Sequence, residues 1–153
     1  MDANQMGMEN DRKPTVTIVG SGICGMFTGL ALDRRGFDIT VIERDIPPPD
    51  CSANEAFFSW SRRGVAQFRH PHAFLGLMCS VLEENYPDLL EHFFEAGARK
   101  VSFEDSVPDH LKSQYQPEPG DEKMWVLMCR RATMETVLRK YVTQKSSVTI
   151  RNQ

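Results

Sequence analysis

The plainest chemistry in the chain is offered by six residues, Gly20-Ser21-Gly22-Ile23-Cys24-Gly25, and it is chemistry done by backbone. Their spacing is G-x-G-x-x-G. The first glycine permits a tight turn out of a strand, the second removes a side chain where backbone must approach a pyrophosphate, and the third lets a helix pack closely on a sheet. A helix opening there presents N–H groups without intrahelical acceptors and the positive end of its dipole, so the turn is an anion site. Glu43 stands 23 residues after Gly20. A carboxylate at that point accepts hydrogen bonds from both hydroxyls of an adenosine ribose and repels a 2′-phosphate.

The elements that must position these groups are legible from Thr15 to Arg44, TVTIVGSGICGMFTGLALDRRGFDITVIER. Val16, Ile18 and Val19 with flanking threonines form a short β-branched run, of the kind buried on both faces of a parallel sheet. Met26, Phe27, Leu30 and Leu32 give the following helix an apolar face; Gly29 offers a second close-packing position and Gly36 a stop. Phe37 to Ile42 reads as a second strand, closed by Glu43. Strand, turn, helix, strand and terminal acid thus occur in register, which a stray glycine string lacks, and the unit reads as dinucleotide-binding.

The 153 residues suffice for one core-forming domain, with 41% hydrophobic and 25% charged residues. Eighteen basic against 21 acidic residues give a net charge of -3 without a basic stripe, which argues against a nucleic-acid partner. No apolar run reaches the ~18 residues of a membrane span. The first 13 residues, MDANQMGMENDRK, carry no apolar core of a signal peptide and read as a disordered tail, so cytoplasmic residence is expected. Cys24, Cys51, Cys79 and Cys129 are scattered without a C-x-x-C and are expected to be buried free thiols.

Further along, Asp45 to Asp50 holds three prolines and reads as an exposed excursion. Cys51 to His72 is aromatic and basic without clean periodicity; Arg62, Arg63 and Arg69 are candidates to pair with phosphate or carboxylate. His70 and His72 invite a metal reading, but no third ligand cluster accompanies them and no metal site is expected. Helical spacing runs from Ala73 to about Glu84, and Asp88 reads as the N-cap of a second helix that Gly97 ends. His92 is expected to be exposed. Val101 to Asp121 reads as a strand fragment and a long polar loop. Lys123 to Cys129 is a strand delivering Arg130 and Arg131 to a helix over Ala132 to Thr143, and Ser146 to Ile150 begins another strand. A doubly wound sheet needs more strands than these, so the sheet is expected to be incomplete at the C-terminus.

The glycines 20, 22, 25, 29 and 36, with VIERD, SRRGVAQFRHPHAFL and CRRATMETVLRK, resemble the N-terminal portion of FAD-dependent monooxygenases and oxidoreductases of the para-hydroxybenzoate hydroxylase type. The resemblance covers nearly all of the chain after the tail, about the first third of such an enzyme. It implies an α/β, Rossmann-like FAD/NAD(P)-binding fold with a βαβ entry and a parallel sheet, residues 14 to 153 forming the N-terminal part of an FAD-binding domain. Gly20, Ser21, Gly22, Ile23, Cys24 and Gly25 would hold the FAD pyrophosphate, Glu43 the ribose, and Arg44 would lie near the adenine. Arg62, with Arg63 as the near alternative, would contact the flavin side, and Arg131 would reach the FAD phosphate or ribityl region. The implied reaction is hydroxylation of a small organic substrate with NAD(P)H as electron donor and O2. No residue stands out as acid or base, so no catalytic residue is assigned. Glu43 suits NAD equally well, so a NAD- or FAD-dependent dehydrogenase or reductase is the alternative, and a truncated, non-catalytic fragment is a third reading.

Overall fold

A computed structural model describes residues 12–153. Nearly all of the expected tail, residues 1–11, lies outside the described residues. Two compact units divide the chain: residues up to Arg44 together with Val142–Gln153, and Asp45–Tyr141.

The first unit is built on the βαβ entry. β1 (Thr15–Val19) runs into the glycine turn, α1 (Ile23–Asp33) follows, and β2 (Asp38–Glu43) returns parallel to β1, with Val19 opposite Ile42. The third strand, β6 (Thr149–Asn152), pairs parallel with the other side of β2 and gives the order β1-β2-β6. The expected parallel sheet is therefore present, with its third strand supplied from the far end of the chain. Glycine chemistry fixes the joints. Gly36 adopts φ +81 and its N–H closes on the Asp33 carbonyl at 2.9 Å, a left-handed stop that a side chain would strain. Asp33 then accepts from both the backbone and the hydroxyl of Ser147, tying the approach to β6 to the end of α1.

One expectation fails here. β1 is not buried on both faces: Thr15, Thr17 and Val19 face solvent, Val19 at 86% exposure. Among the described residues β1 is the outer strand of three, and α1 covers only the face that carries Val16 and Ile18. β-branched composition reports strand propensity, not the number of layers around the strand.

The second unit carries an antiparallel sheet. β3 (Pro71–Phe74) and β4 (Arg99–Ser102) flank β5 (Trp125–Arg130), each antiparallel to it, in the order β3-β5-β4. Two helices, α3 (Gly76–Asn85) and α4 (Pro87–Glu95), supply buried Cys79, Leu82, Leu89 and Phe93. Each fully buried Leu or Phe stabilises the unit by ~1.5–3 kcal/mol. Phe74 and Phe93 meet edge to face at 5.8 Å. Two short helices, α5 (Phe103–Ser106) and α6 (Asp109–Lys112), and a 3-10 turn (Asp121–Lys123) occupy the stretch between β4 and β5. α7 (Arg131–Lys145) is buried without a break from Ala132 to Arg139.

Several boundaries differ from the sequence expectation. Ala73 and Phe74 belong to β3 instead of opening a helix, because cross-strand pairing with Met128 and Leu127 claims them. Tyr86 is the N-cap of α4, and Pro87 and Asp88 occupy its first turn, where proline's missing N–H costs nothing. Cys51–His72 contains a helix, α2 (Ala53–Ser59), opened by a capping box in which Ser52 and Glu55 exchange bonds. His92 is exposed as expected. The cysteines are all free; Cys79 is buried, Cys24 is exposed, and Cys51 and Cys129 lie between. Among the described residues no helix is long and apolar enough to cross a membrane.

Candidate functional site

In the first unit the glycine turn is assembled at the carboxyl ends of two parallel strands. The N–H of Gly20 extends the ladder to the Ile42 carbonyl at 2.8 Å, and its φ of +97 swings the chain out of β1. Gly22 is the N-cap of α1 in extended geometry (φ -72, ψ 179), and a Cβ built on it meets nothing within 4 Å. That is open approach to backbone. Gly25 is the opposite case: its Cβ would stand 2.0 Å from the Gly20 carbonyl oxygen and 3.4 Å from Ile18. Gly29 meets Val148 and Ile18 at 3.4 to 3.9 Å, the close packing expected of it.

The first intrahelical bond runs from Met26 to the Gly22 carbonyl at 3.0 Å. Helix geometry thus leaves the N–H groups of Ile23, Cys24 and Gly25 without intrahelical acceptors. No acidic side chain sits in the first turn to neutralise the positive end of the dipole. Glu43 closes the same site. It is buried at 4% exposure, and its Oε2 accepts from the Ser21 backbone at 2.8 Å and from the Ser21 hydroxyl at 2.7 Å. Its neighbour Arg44 is exposed.

The second unit holds a separate, buried charge network. Asp45 does not lie in an exposed excursion: it is 6% exposed and pairs with Arg62 Nε at 3.6 Å. Ile46 is fastened as well, its carbonyl accepting from Trp60 Nε1 at 3.0 Å. Arg62 continues to the fully buried Glu135 at 3.2 Å, and its guanidinium lies 5.2 Å from the Trp60 ring. Glu135 is bound on its other oxygen by Arg131 Nε at 2.7 Å. One carboxylate on α7 therefore orients two arginines. Arg63 is exposed, and Arg69 lies over Phe57 at 5.4 Å while donating to the Phe58 carbonyl. His72 Nδ1 lies 3.2 Å from the His70 carbonyl, and among the described residues no three His, Cys, Asp or Glu side chains gather as a metal site.

Six turn residues and Glu43 are thus brought together in one unit, and Arg62 and Arg131 in the other. Sequence reasoning passed over two members of the second group. Asp45 carried no signal beyond its place after the strand, and Glu135 stood in the quoted helix motif without a role because its partner Arg62 lies 73 positions away.

The model of the NAD(P)-binding Rossmann-like domain family matches residues 18–95, just over half of the chain. The chain belongs to this family. Proteins of known description are similar over parts of the chain. An FAD-dependent monooxygenase of Aspergillus terreus is 33% identical over 113 residues, covering 71% of this chain and 22% of that protein. The NAD-dependent dihydropyrimidine dehydrogenase subunit PreT of Escherichia coli is 29% identical over 85 residues, 52% of this chain and 18% of PreT.

Among solved structures, PqsL from Pseudomonas aeruginosa, described as a probable FAD-dependent monooxygenase, superposes with TM-score 0.56 at 15% identity, over 91% of this chain and 32% of PqsL. The p-nitrophenol 4-monooxygenase PnpA from Pseudomonas putida gives 0.52 at 14%, over 91% and 31%. At these identities the structural likeness speaks for the fold. The chain spans about a fifth of the length of these two sequence relatives and about a third of these two structural ones.

Proposed function

We propose that this chain is the FAD-binding part, and the N-terminal domain portion, of a flavin-dependent monooxygenase that hydroxylates a small organic substrate with NAD(P)H and O2. The observation that carries the reading is the glycine turn. Gly22 leaves its surroundings open to a phosphate, Gly25 has no room for any side chain, and a helix start without acids stands between them and Glu43. A relative described as an FAD-dependent monooxygenase, similar over 71% of the chain, supports the choice of cofactor.

In this reading the backbone of Gly20, Ser21, Gly22, Ile23, Cys24 and Gly25 binds the pyrophosphate, with charge neutralised by N–H dipoles. Glu43 takes the ribose hydroxyls, and Ser21 fixes the position of its carboxylate while it does so. Arg44 lies beside the adenine. Arg62 and Arg131, both held by Glu135, are the residues this reading assigns to the flavin and phosphate side. FAD, when bound, supplies the redox chemistry that amino-acid side chains lack. Cytoplasmic residence accompanies this reading.

PreT, an NAD-dependent protein by description, favours a second reading in which the turn holds NAD and the parent activity is a dehydrogenase or reductase. Titration with FAD and with NAD, read by flavin fluorescence quenching and thermal stability, separates the two. Saturable FAD quenching, lost in Gly22→Val because the valine blocks the pyrophosphate approach, is the expected result. Stabilisation by NAD alone would transfer the proposal to the second reading, and a folded chain that binds neither would end both.

A further inference from the structure

The antiparallel sheet of the second unit carries a feature the cofactor reading does not use. Antiparallel register places Arg99 opposite Met128 and Pro71 opposite Arg130. Directly opposed residues share a sheet face, and so do residues two apart on one strand. Arg99, Met128, Arg130 and Pro71 therefore lie on one face, the two arginines on adjacent strands as diagonal neighbours. Diagonal neighbours sit ~7–8 Å apart, within reach of long side chains.

These four residues, with Ala96 and Gly97, line a cavity of about 300 Å³, and no acidic residue contributes to its wall. Arg130 is held in place: its Nη2 donates to Asn54 at 3.0 Å and its guanidinium lies over Phe57 at 4.5 Å. Arg99 is exposed, and among the described residues its side chain enters no hydrogen bond or ion pair. The end of α4 is closed on itself beside the rim. Its last turn is closed by Ala98 N–H on the Phe93 carbonyl and Gly97 N–H on the Phe94 carbonyl, both at 2.9 Å.

Two like charges facing one hollow without a counterion repel each other, and an anion between them reverses the sign of that term. Met128, Pro71 and Ala96 give the wall hydrocarbon and thioether surface, and Cys129 and Thr133 complete it, Thr133 bringing one hydroxyl. A guanidinium pair set against apolar walls matches a carboxylate on a compact hydrophobic body. We propose that this cavity is a binding site for a small organic carboxylate, with Arg99 and Arg130 on the carboxylate and Met128 and Pro71 against its apolar part. This site stands wholly within the second unit and does not depend on which dinucleotide the glycine turn holds.

The test is titration of the ¹⁵N-labelled chain with benzoate, followed amide by amide, with benzamide as the uncharged isostere and chloride as the bare anion. Benzoate is expected to shift the amides of Gly97, Arg99, Met128 and Arg130 saturably, with benzamide and chloride failing to do so at equal concentration. Arg99→Gln, a change at an exposed and unpaired side chain that leaves the fold intact, is expected to weaken benzoate ~10-fold or more, the worth of one charge-assisted hydrogen bond. Equal shifts from benzamide, shifts from chloride alone, an unchanged affinity in Arg99→Gln, or no shifts at the cavity would each overturn the proposal.

Discussion

Ser21 gives Glu43 two hydrogen bonds on a single oxygen, one from its backbone and one from its hydroxyl, across 22 positions of sequence. A turn residue and a strand-end residue are thereby locked at the carboxyl ends of β1 and β2. Ser21→Ala removes the hydroxyl donor and leaves a buried carboxylate short of a partner. Denaturant unfolding is expected to show a loss of ~1–3 kcal/mol, with an unchanged slope.

Gly22 and Gly25 are three residues apart and predict opposite outcomes. Gly25→Ala drives a methyl to 2.0 Å from the Gly20 carbonyl, a backbone atom that cannot yield without opening the turn. A loss of ~3 kcal/mol or more is expected by thermal or chemical unfolding. Gly22→Val enters open space in extended geometry and should stay within ~1 kcal/mol of the parent. Equal stability of the two variants would contradict the assignment of one glycine to packing and the other to ligand approach.

Glu135 is fully buried and holds Arg62 and Arg131, one on each oxygen. Glu135→Ala strands the buried Arg62 with Asp45 as its remaining carboxylate, and the expected cost is ~3–5 kcal/mol. Glu135→Gln keeps the shape and an acceptor for Arg131, so its loss should be smaller. The ranking is read from equilibrium unfolding of both variants; a loss below ~1 kcal/mol for the alanine would mean the network is not cohesive.

Burial pushes the Cys129 thiol up to about 12, against the opposing pull of Arg130, and burial also raises Cys79. A raised pKa keeps the unreactive thiol form until pH approaches that value, so at pH 8 the Cys129 thiolate fraction is ~10⁻⁴. Cys24 is exposed. Iodoacetamide at pH 8, followed by peptide mass spectrometry, is expected to label Cys24 first, with Cys129 labelling rising steadily as the pH is raised. Labelling of Cys129 as fast as Cys24 in the folded chain would refute the burial argument.

What was legible in the sequence was local. The βαβ entry could be read because each glycine there answers a constraint set by atoms a few residues away, as at Gly36 and Gly20, and because Glu43 follows at a fixed distance along the same unit. The start of α2 carried an equally local signal that the reading of Cys51–His72 as aperiodic passed over. Ser52 and Glu55 form an S-x-x-E capping box that signals a helix within an otherwise aperiodic stretch. The antiparallel sheet was not legible, because Pro71–Phe74 is four residues long and becomes a strand only beside Leu127–Arg130. The Asp45, Arg62 and Glu135 cluster failed for the same reason. Its members look like solvated charges until tertiary packing removes the water.

The discontinuous first unit imposes an order of events on synthesis. Thr40 waits for Thr149, its partner across the β2–β6 pairing, and more than a hundred residues of chain must leave the ribosome between them. The intervening Asp45–Tyr141 unit is continuous in sequence, so all of its internal partners are made before Thr149. The β2–β6 pairing therefore follows the synthesis of that whole unit. The Glu43 carbonyl, although made early, receives the N–H of Gln153 only then.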